Sequence, residues 1–193
     1  SEHSPYHENA PVKTDFDTAS HKGKLPLVLF SHGLSGTLDM YSVLCASLAA
    51  EGYIVAALEH EDGSALFAQT ASGHVVPPRR PPKGFSYTRG NCSAFRKPFL
   101  DMRVEEIRQV WQKLKSLGPG SASGSLSTGA GLSSDATKQA LDGVAECINF
   151  DQVFLCGHSF GGATVVRAAQ DLPMMSADST LGTMVLDMWP YCL

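Results

Sequence analysis

At 193 residues, with 43% hydrophobic and 18% charged residues, the chain suits one globular domain with a real core. Its net charge of −4 gives no global reason to expect nucleic acid, and no apolar run is long enough to span a bilayer. The five cysteines, Cys45, Cys92, Cys147, Cys156 and Cys192, are odd in number and lack metal-type spacing; with no secretory signal in view, they lean towards a reducing, cytoplasmic compartment.

Residues Ser1 to Lys24 are polar and aperiodic and read as an extended lead-in. Leu25 to Ser31 (LPLVLFS) is apolar almost throughout, as expected of a strand covered on both faces. It runs into His32-Gly33-Leu34-Ser35-Gly36, a flexible loop carrying H-G. Asp39 to Ala50 has helical composition and stops at Gly52, and Tyr53 to Leu58 is the next strand. Glu59-His60-Glu61-Asp62-Gly63 is acidic with one histidine. Its spacing fits neither a helical H-E-x-x-H pair nor an EF-hand loop, so it reads as a loop leading into a helix, and no metal or other cofactor is predicted.

Ser64 to Pro98 is loop-like and has no acidic residue. Arg79, Arg80, Lys83, Arg89, Arg96 and Lys97 alternate there with Phe85, Tyr87 and Phe95. That interleaving suits transient contact with an anionic lipid surface or a phosphate headgroup; a solvated insertion loop accounts for the same composition. Pro98 is placed to open a helix in which Leu100, Val104, Ile107, Trp111 and Leu114 recur at spacings of four and three. Gly118 to Ser134 is low in complexity and rich in Gly and Ser, a surface insertion. Asp135 starts a further helix, with Leu141, Val144 and Ile148 on one side.

The chemistry concentrates in Gly157-His158-Ser159-Phe160-Gly161. The form is G-x-S-x-G, in which a serine sits on a sharp turn between a strand and a helix. The flanks fit that context: Val153 to Cys156 reads as a buried strand and Ala163 to Gln170 as a helix. Gly157 and Gly161 are small where the turn presses strand against helix. Such a turn lifts the Ser159 hydroxyl above the sheet edge and aims the Phe160 N–H at a developing oxyanion. The loop after Leu25 to Ser31 would carry the second donor, with the Leu34 N–H the candidate.

Leu181 to Leu186 is the last strand and ends at Asp187. Alternating strands and helices predict a mainly parallel α/β sheet flanked by helices, with chemistry at the C-terminal strand edges, where Ser159, the Leu34 loop and Asp187 all fall. A nucleophilic serine needs a base, normally histidine, and the histidine needs an acid, for which Asp187 is well placed. The usual order is serine, acid, histidine. All seven histidines, His3, His7, His21, His32, His60, His74 and His158, precede Asp187. The catalytic histidine is therefore expected to be absent from this chain, which reads as a C-terminally incomplete α/β-hydrolase domain over 1–193 with loop insertions at about 64–97 and 118–134.

LPLVLFSHGLSGTLDMYSVLCASLAAEGYIVAALEHEDGSA, CGHSFGGATVV and VLDMW together resemble the platelet-activating factor acetylhydrolase family, of the plasma and intracellular type II kind. The likeness covers roughly residues 25–66, 98–117 and 148–190. It implies an α/β-hydrolase fold and calcium-independent hydrolysis of short or oxidised sn-2 acyl groups on a phospholipid substrate. Carried over by position, Ser159 is the nucleophile, Asp187 the triad acid, and Leu34 and Phe160 the oxyanion donors; the family's histidine would lie beyond Leu193. Two other readings fit the residues: a dienelactone-hydrolase or polyester-hydrolase relative on the same fold, and a truncated, non-catalytic hydrolase-fold binding protein.

Overall fold

A computed structural model describes residues 24–70, 72–117, 143–171 and 180–188. Strand β1 (Leu25–Ser31) coincides with the predicted run, and its burial explains the absence of polar alternation. Successive side chains leave a strand on opposite faces, and here both faces are covered. Leu27 and Leu29 enter one apolar cluster, with Ile107, Trp111, Leu155 and Val165. Val28 and Phe30 enter another on the opposite face, with Cys156 and the partly buried Tyr41, Leu44 and Leu48.

After β1 the chain makes a 3-10 turn at Leu38–Tyr41 and then helix α1 (Ser42–Ala50), so the first residues of the predicted helix are wound more tightly than an α-helix. Strand β2 (Ile54–Leu58) follows. The acidic loop after it leads into no helix. The chain instead forms a two-residue antiparallel hairpin, β3 (Ala68–Gln69) with β4 (Val75–Val76).

Helix α2 spans Arg89–Leu117 and holds Pro98 in its interior, so Pro98 does not open it. The start is set by Thr88, whose Oγ1 accepts from the Asn91 N–H at 3.2 Å as an N-cap. Pro98 removes the bond that its N–H would have given to the Ala94 carbonyl. Phe95 and Phe99, four residues apart across the proline, pack with ring centroids 5.3 Å apart and hold the turn together. Further along, Leu100, Val104, Ile107 and Trp111 are buried as the spacing predicts. Each such side chain contributes about 1.5–3 kcal/mol relative to remaining in water.

The helix predicted from Asp135 lies outside the described residues up to 142; residues 143–147 are helical. Ile148 is not part of it. Fully buried, it opens strand β5 (Ile148–His158), and the β1–β5 pairing slips from Pro26–Asn149 to Leu27–Val153. Helix α3 (Phe160–Asp171) follows, then strand β6 (Thr180–Leu186). The strands pair in parallel in the order β2-β1-β5-β6, with α1 on one face and α2 and α3 on the other. The predicted insertion at 118–134 lies outside the described residues. Four cysteines, Cys45, Cys92, Cys147 and Cys156, are free. Among the described residues no helix is long and apolar enough to cross a membrane.

Candidate active site

Ser159 is the single residue between β5 and α3. Its φ is 53°, in the left-handed region, where a non-glycine residue costs of order 1–3 kcal/mol. Two backbone bonds hold it there. Its N–H donates to the Leu186 carbonyl at 2.9 Å, and its carbonyl accepts from the Ala163 N–H at 3.3 Å. The turn closes only because two flanking residues are glycine. A β-carbon at Gly157 would stand 2.2 Å from the Gly161 oxygen, and one at Gly161 would stand 2.0 Å from the Ser31 oxygen. Either would drive α3 off the sheet.

The loop after β1 comes up beside this turn, so close that a β-carbon built on Gly33 would lie 3.2 Å from Ser159 Cβ. The Gly33 N–H donates to Tyr41 Oη at 3.0 Å, and Tyr41 Oη lies 2.8 Å from His158 Nδ1. The next N–H, that of Leu34, has no hydrogen-bond partner among the described residues. Ser35 then turns the chain with φ 56°, its N–H donating to the Ser64 carbonyl at 2.8 Å. The Phe160 N–H is the first of α3, at the positive end of a helix.

Asp187 follows Leu186, the register partner of His158, so it leaves the sheet edge next to the serine turn. Its φ is 46° and its side chain is exposed. Ser35, Ser159 and Asp187 are the three non-glycine residues with positive φ among those described. All follow C-terminal ends of parallel strands, and concentrated backbone strain of this kind is a mark of functional sites.

The histidines are otherwise engaged. His32 is buried, donates from Nδ1 to the Gly33 carbonyl at 2.8 Å, and accepts at Nε2 from the His60 N–H at 3.4 Å. Burial, then the Arg103 charge, hold its pKa down to about 4. His60 is sealed: Nε2 lies 2.8 Å from Ser31 Oγ and Nδ1 2.5 Å from Glu106 Oε2. Burial holds the imidazole well below its usual range and lifts the Glu106 carboxyl to about 7. Ser31, His60 and Glu106 thus form a serine–histidine–carboxylate relay whose hydroxyl and imidazole have no contact with solvent. His158 is held by Tyr41, and His74 is exposed beside β4. His3, His7 and His21 lie outside the described residues.

The acidic loop has structural partners. Glu59 Oε2 accepts from the Leu38 N–H at 2.8 Å, and Asp62 pairs with Arg103 at 3.0 Å. Arg103 is fully buried inside the apolar face of α2 and goes unmarked in the sequence. The available signal is a lone cation three residues after Leu100, on the stripe itself. The basic segment is also less open than its composition implies: Arg79 lies over the Phe99 ring at 5.1 Å and Arg96 over Phe95 at 4.9 Å.

A parallel sheet between helices, with a strained serine on the turn from an inner strand to its helix, defines the α/β-hydrolase fold. Within it, residues 1–193 match the family described as platelet-activating factor acetylhydrolase, isoform II, and the chain belongs to that family. It is similar to the platelet-activating factor acetylhydrolases of Cavia porcellus (32% identical, covering 84% of this chain and 34% of that protein) and Canis lupus familiaris (29%, 86% and 35%). A putative phospholipase A2 of Schizosaccharomyces pombe is 29% identical over 74% of this chain and 34% of its own length. The chain therefore spans about a third of the length of these relatives. Among solved structures, a ferulic acid esterase from Streptomyces cinnamoneus aligns with a TM-score of 0.51 at 19% identity, over 85% of this chain and 42% of that one. At that identity the likeness speaks for the fold alone.

Proposed function

We propose that this chain carries the nucleophile, the acid and the oxyanion pocket of a calcium-independent serine esterase that cleaves short or oxidised sn-2 acyl esters of phospholipids. The observation that carries the reading is Ser159, held at φ 53° on the strand-to-helix turn beside the loop that ends β1. Membership of the family supports the substrate class.

Ser159 Oγ attacks the sn-2 carbonyl carbon as a base takes its proton. The tetrahedral oxyanion is held by the N–H groups of Leu34 and Phe160, donors fixed before the charge develops. The base returns the proton to the leaving oxygen, and a lysophospholipid departs. Water then attacks the acyl-enzyme and releases the short acid. We assign the base to a histidine of the full-length protein that none of the seven histidines of residues 1–193 supplies, oriented by Asp187. The engagement of His32, His60 and His158 by other partners supports that assignment.

The test is hydrolysis of a 1-alkyl-2-acetylglycerophosphocholine by the full-length protein in chelator, beside a simple aryl ester. Ser159→Ala is expected to lower kcat by about 10⁶ and Asp187→Asn by about 10⁴, with the fold kept. Turnover of the aryl ester alone would move the protein to another carboxylesterase specificity. Turnover of neither ester would leave a binding protein.

A further inference from the structure

Arg103 stands 71 residues from the loop it touches, and that distance is the key to its role. Its Nη1 donates to the His32 carbonyl at 2.7 Å, immediately before the Gly33–Leu34 stretch. Its Nη2 donates to Ser64 Oγ at 2.6 Å, and the Ser64 carbonyl accepts from the Ser35 N–H at 2.8 Å, immediately after Leu34. The same guanidinium lies 4.7 Å from the ring centroid of Phe160, the residue that follows the nucleophile. Asp62 completes the arrangement. It receives Nε at 3.0 Å through one carboxylate oxygen, and the other accepts from the Ser64 N–H at 2.8 Å and the Ser64 hydroxyl at 2.5 Å. Arg103, Asp62 and Ser64 are all buried, so water does not screen the arrangement.

From this geometry we infer that Arg103 is the positioning residue of the oxyanion pocket: one guanidinium, carried by α2, fixes the backbone on both sides of Leu34 and underlies Phe160. The inference rests on the esterase reading above. Two donors on separate segments must converge on one oxygen to within a few tenths of an ångström. A planar fork with several fixed N–H vectors can hold both segments at once, which a single ammonium cannot. A buried ion pair would be replaceable by apolar groups with little loss of stability. Fixing of the loop would not survive that exchange.

The experiment compares Arg103→Lys and the double variant Asp62→Asn/Arg103→Met with the unaltered full-length protein. In the double variant the side-chain amide introduced at position 62 still accepts from Ser64, and methionine fills the space of the arginine stem. Active sites are counted by fluorophosphonate titration, so that kcat is read per competent site. KM and the affinity for a trifluoromethyl ketone, whose adduct places an oxyanion in the pocket, are read alongside, with unfolding midpoints in guanidinium chloride. The double variant is expected to keep KM within about twofold while kcat per site falls by about 10²-fold, the cost of losing one oxyanion donor. Ketone affinity should fall by the same factor as kcat/KM, and Arg103→Lys should fall between. A folded double variant with unchanged kcat per site and ketone affinity overturns the inference. Should the double variant not fold, Arg103→Lys with both quantities unchanged overturns it. Failure of the esterase reading has a different signature: the unaltered protein would show neither turnover nor labelling at Ser159.

Discussion

Gly161 lies against the end of β1 so closely that a β-carbon there would stand 2.0 Å from the Ser31 carbonyl oxygen and 2.7 Å from that of His32. Both obstacles are backbone, at the last residue of an inner strand and the residue after it, and cannot swing aside as a side chain would. Gly161→Ala is therefore expected to cost at least the upper end of the ~1–3 kcal/mol typical of overpacking. The check is the denaturant midpoint, with loss of soluble protein the extreme outcome. A midpoint near that of the unaltered protein would mean that α3 stands further from β1 than described.

Two serines compete for assignment as the nucleophile, and accessibility separates them. Ser31 has the histidine and carboxylate in line but no exposed surface; Ser159 has the strained turn. In the full-length protein a fluorophosphonate should label Ser159 and spare Ser31. Ser31→Ala should keep the labelling, and Ser159→Ala should abolish it. A labelled peptide containing Ser31 would falsify the assignment.

Stability should depend on pH in two opposing ways. His32 binds its proton only near pH 4 in the fold, against 6.5 when unfolded. Between those values the unfolded chain holds more protons, so stability falls as the pH drops from about 6.5 to 4, by on the order of 3 kcal/mol in all. Glu106 acts in reverse. Its pKa is raised from 4.5 to about 7, so its contribution is present at low pH and is lost as the pH rises through that interval. Glu106→Gln removes the opposing contribution and should steepen the loss of stability between pH 6.5 and 4.5. Denaturant midpoints at three pH values measure it; an unchanged or shallower slope would show that Glu106 does not titrate in the fold.

Contact with a lipid surface, if made by the segment before α2, rests on its exposed members. Arg80, Lys83 and Tyr87 are exposed; Arg79 is exposed too, but it also packs on Phe99 and meets Gly63 through both backbone and side chain. Arg80→Ser with Lys83→Ser should weaken binding to vesicles containing phosphatidylserine by about 1 kcal/mol per charge at low salt. Arg79→Ser should also lower stability. Binding indifferent to Arg80, Lys83 and added salt would leave the segment a solvated loop.

What is legible in the sequence follows from which interactions are local. β1 can be read to the residue because a strand buried on both faces leaves an uninterrupted apolar run. The serine turn can be read because its steric demand, glycine at 157 and 161, is itself written in sequence. Pro98 misleads, since the side chains that carry the helix past it, Phe95 and Phe99, signal nothing until their rings are seen to stack. Ile148 reads as helical because it falls four residues after Val144, on the stripe of the helix expected from Asp135, yet it begins a strand. Arg103 shows in the sequence only as a lone cation on an apolar stripe; its partners sit 41 and 71 residues away, and nothing in a linear pattern brings Asp62 and His32 to one guanidinium.

The bond from the Ser159 N–H to the Leu186 oxygen has a mechanical consequence. It continues the β5–β6 pairing one step past His158–Leu186, and Asp187 is the first residue after the strand that accepts it. Any flexing of that margin carries both side chains together, as two rivets on one plate. Their separation is thereby insulated from motion in the surrounding loops, which are free to vary in length and composition without detuning it.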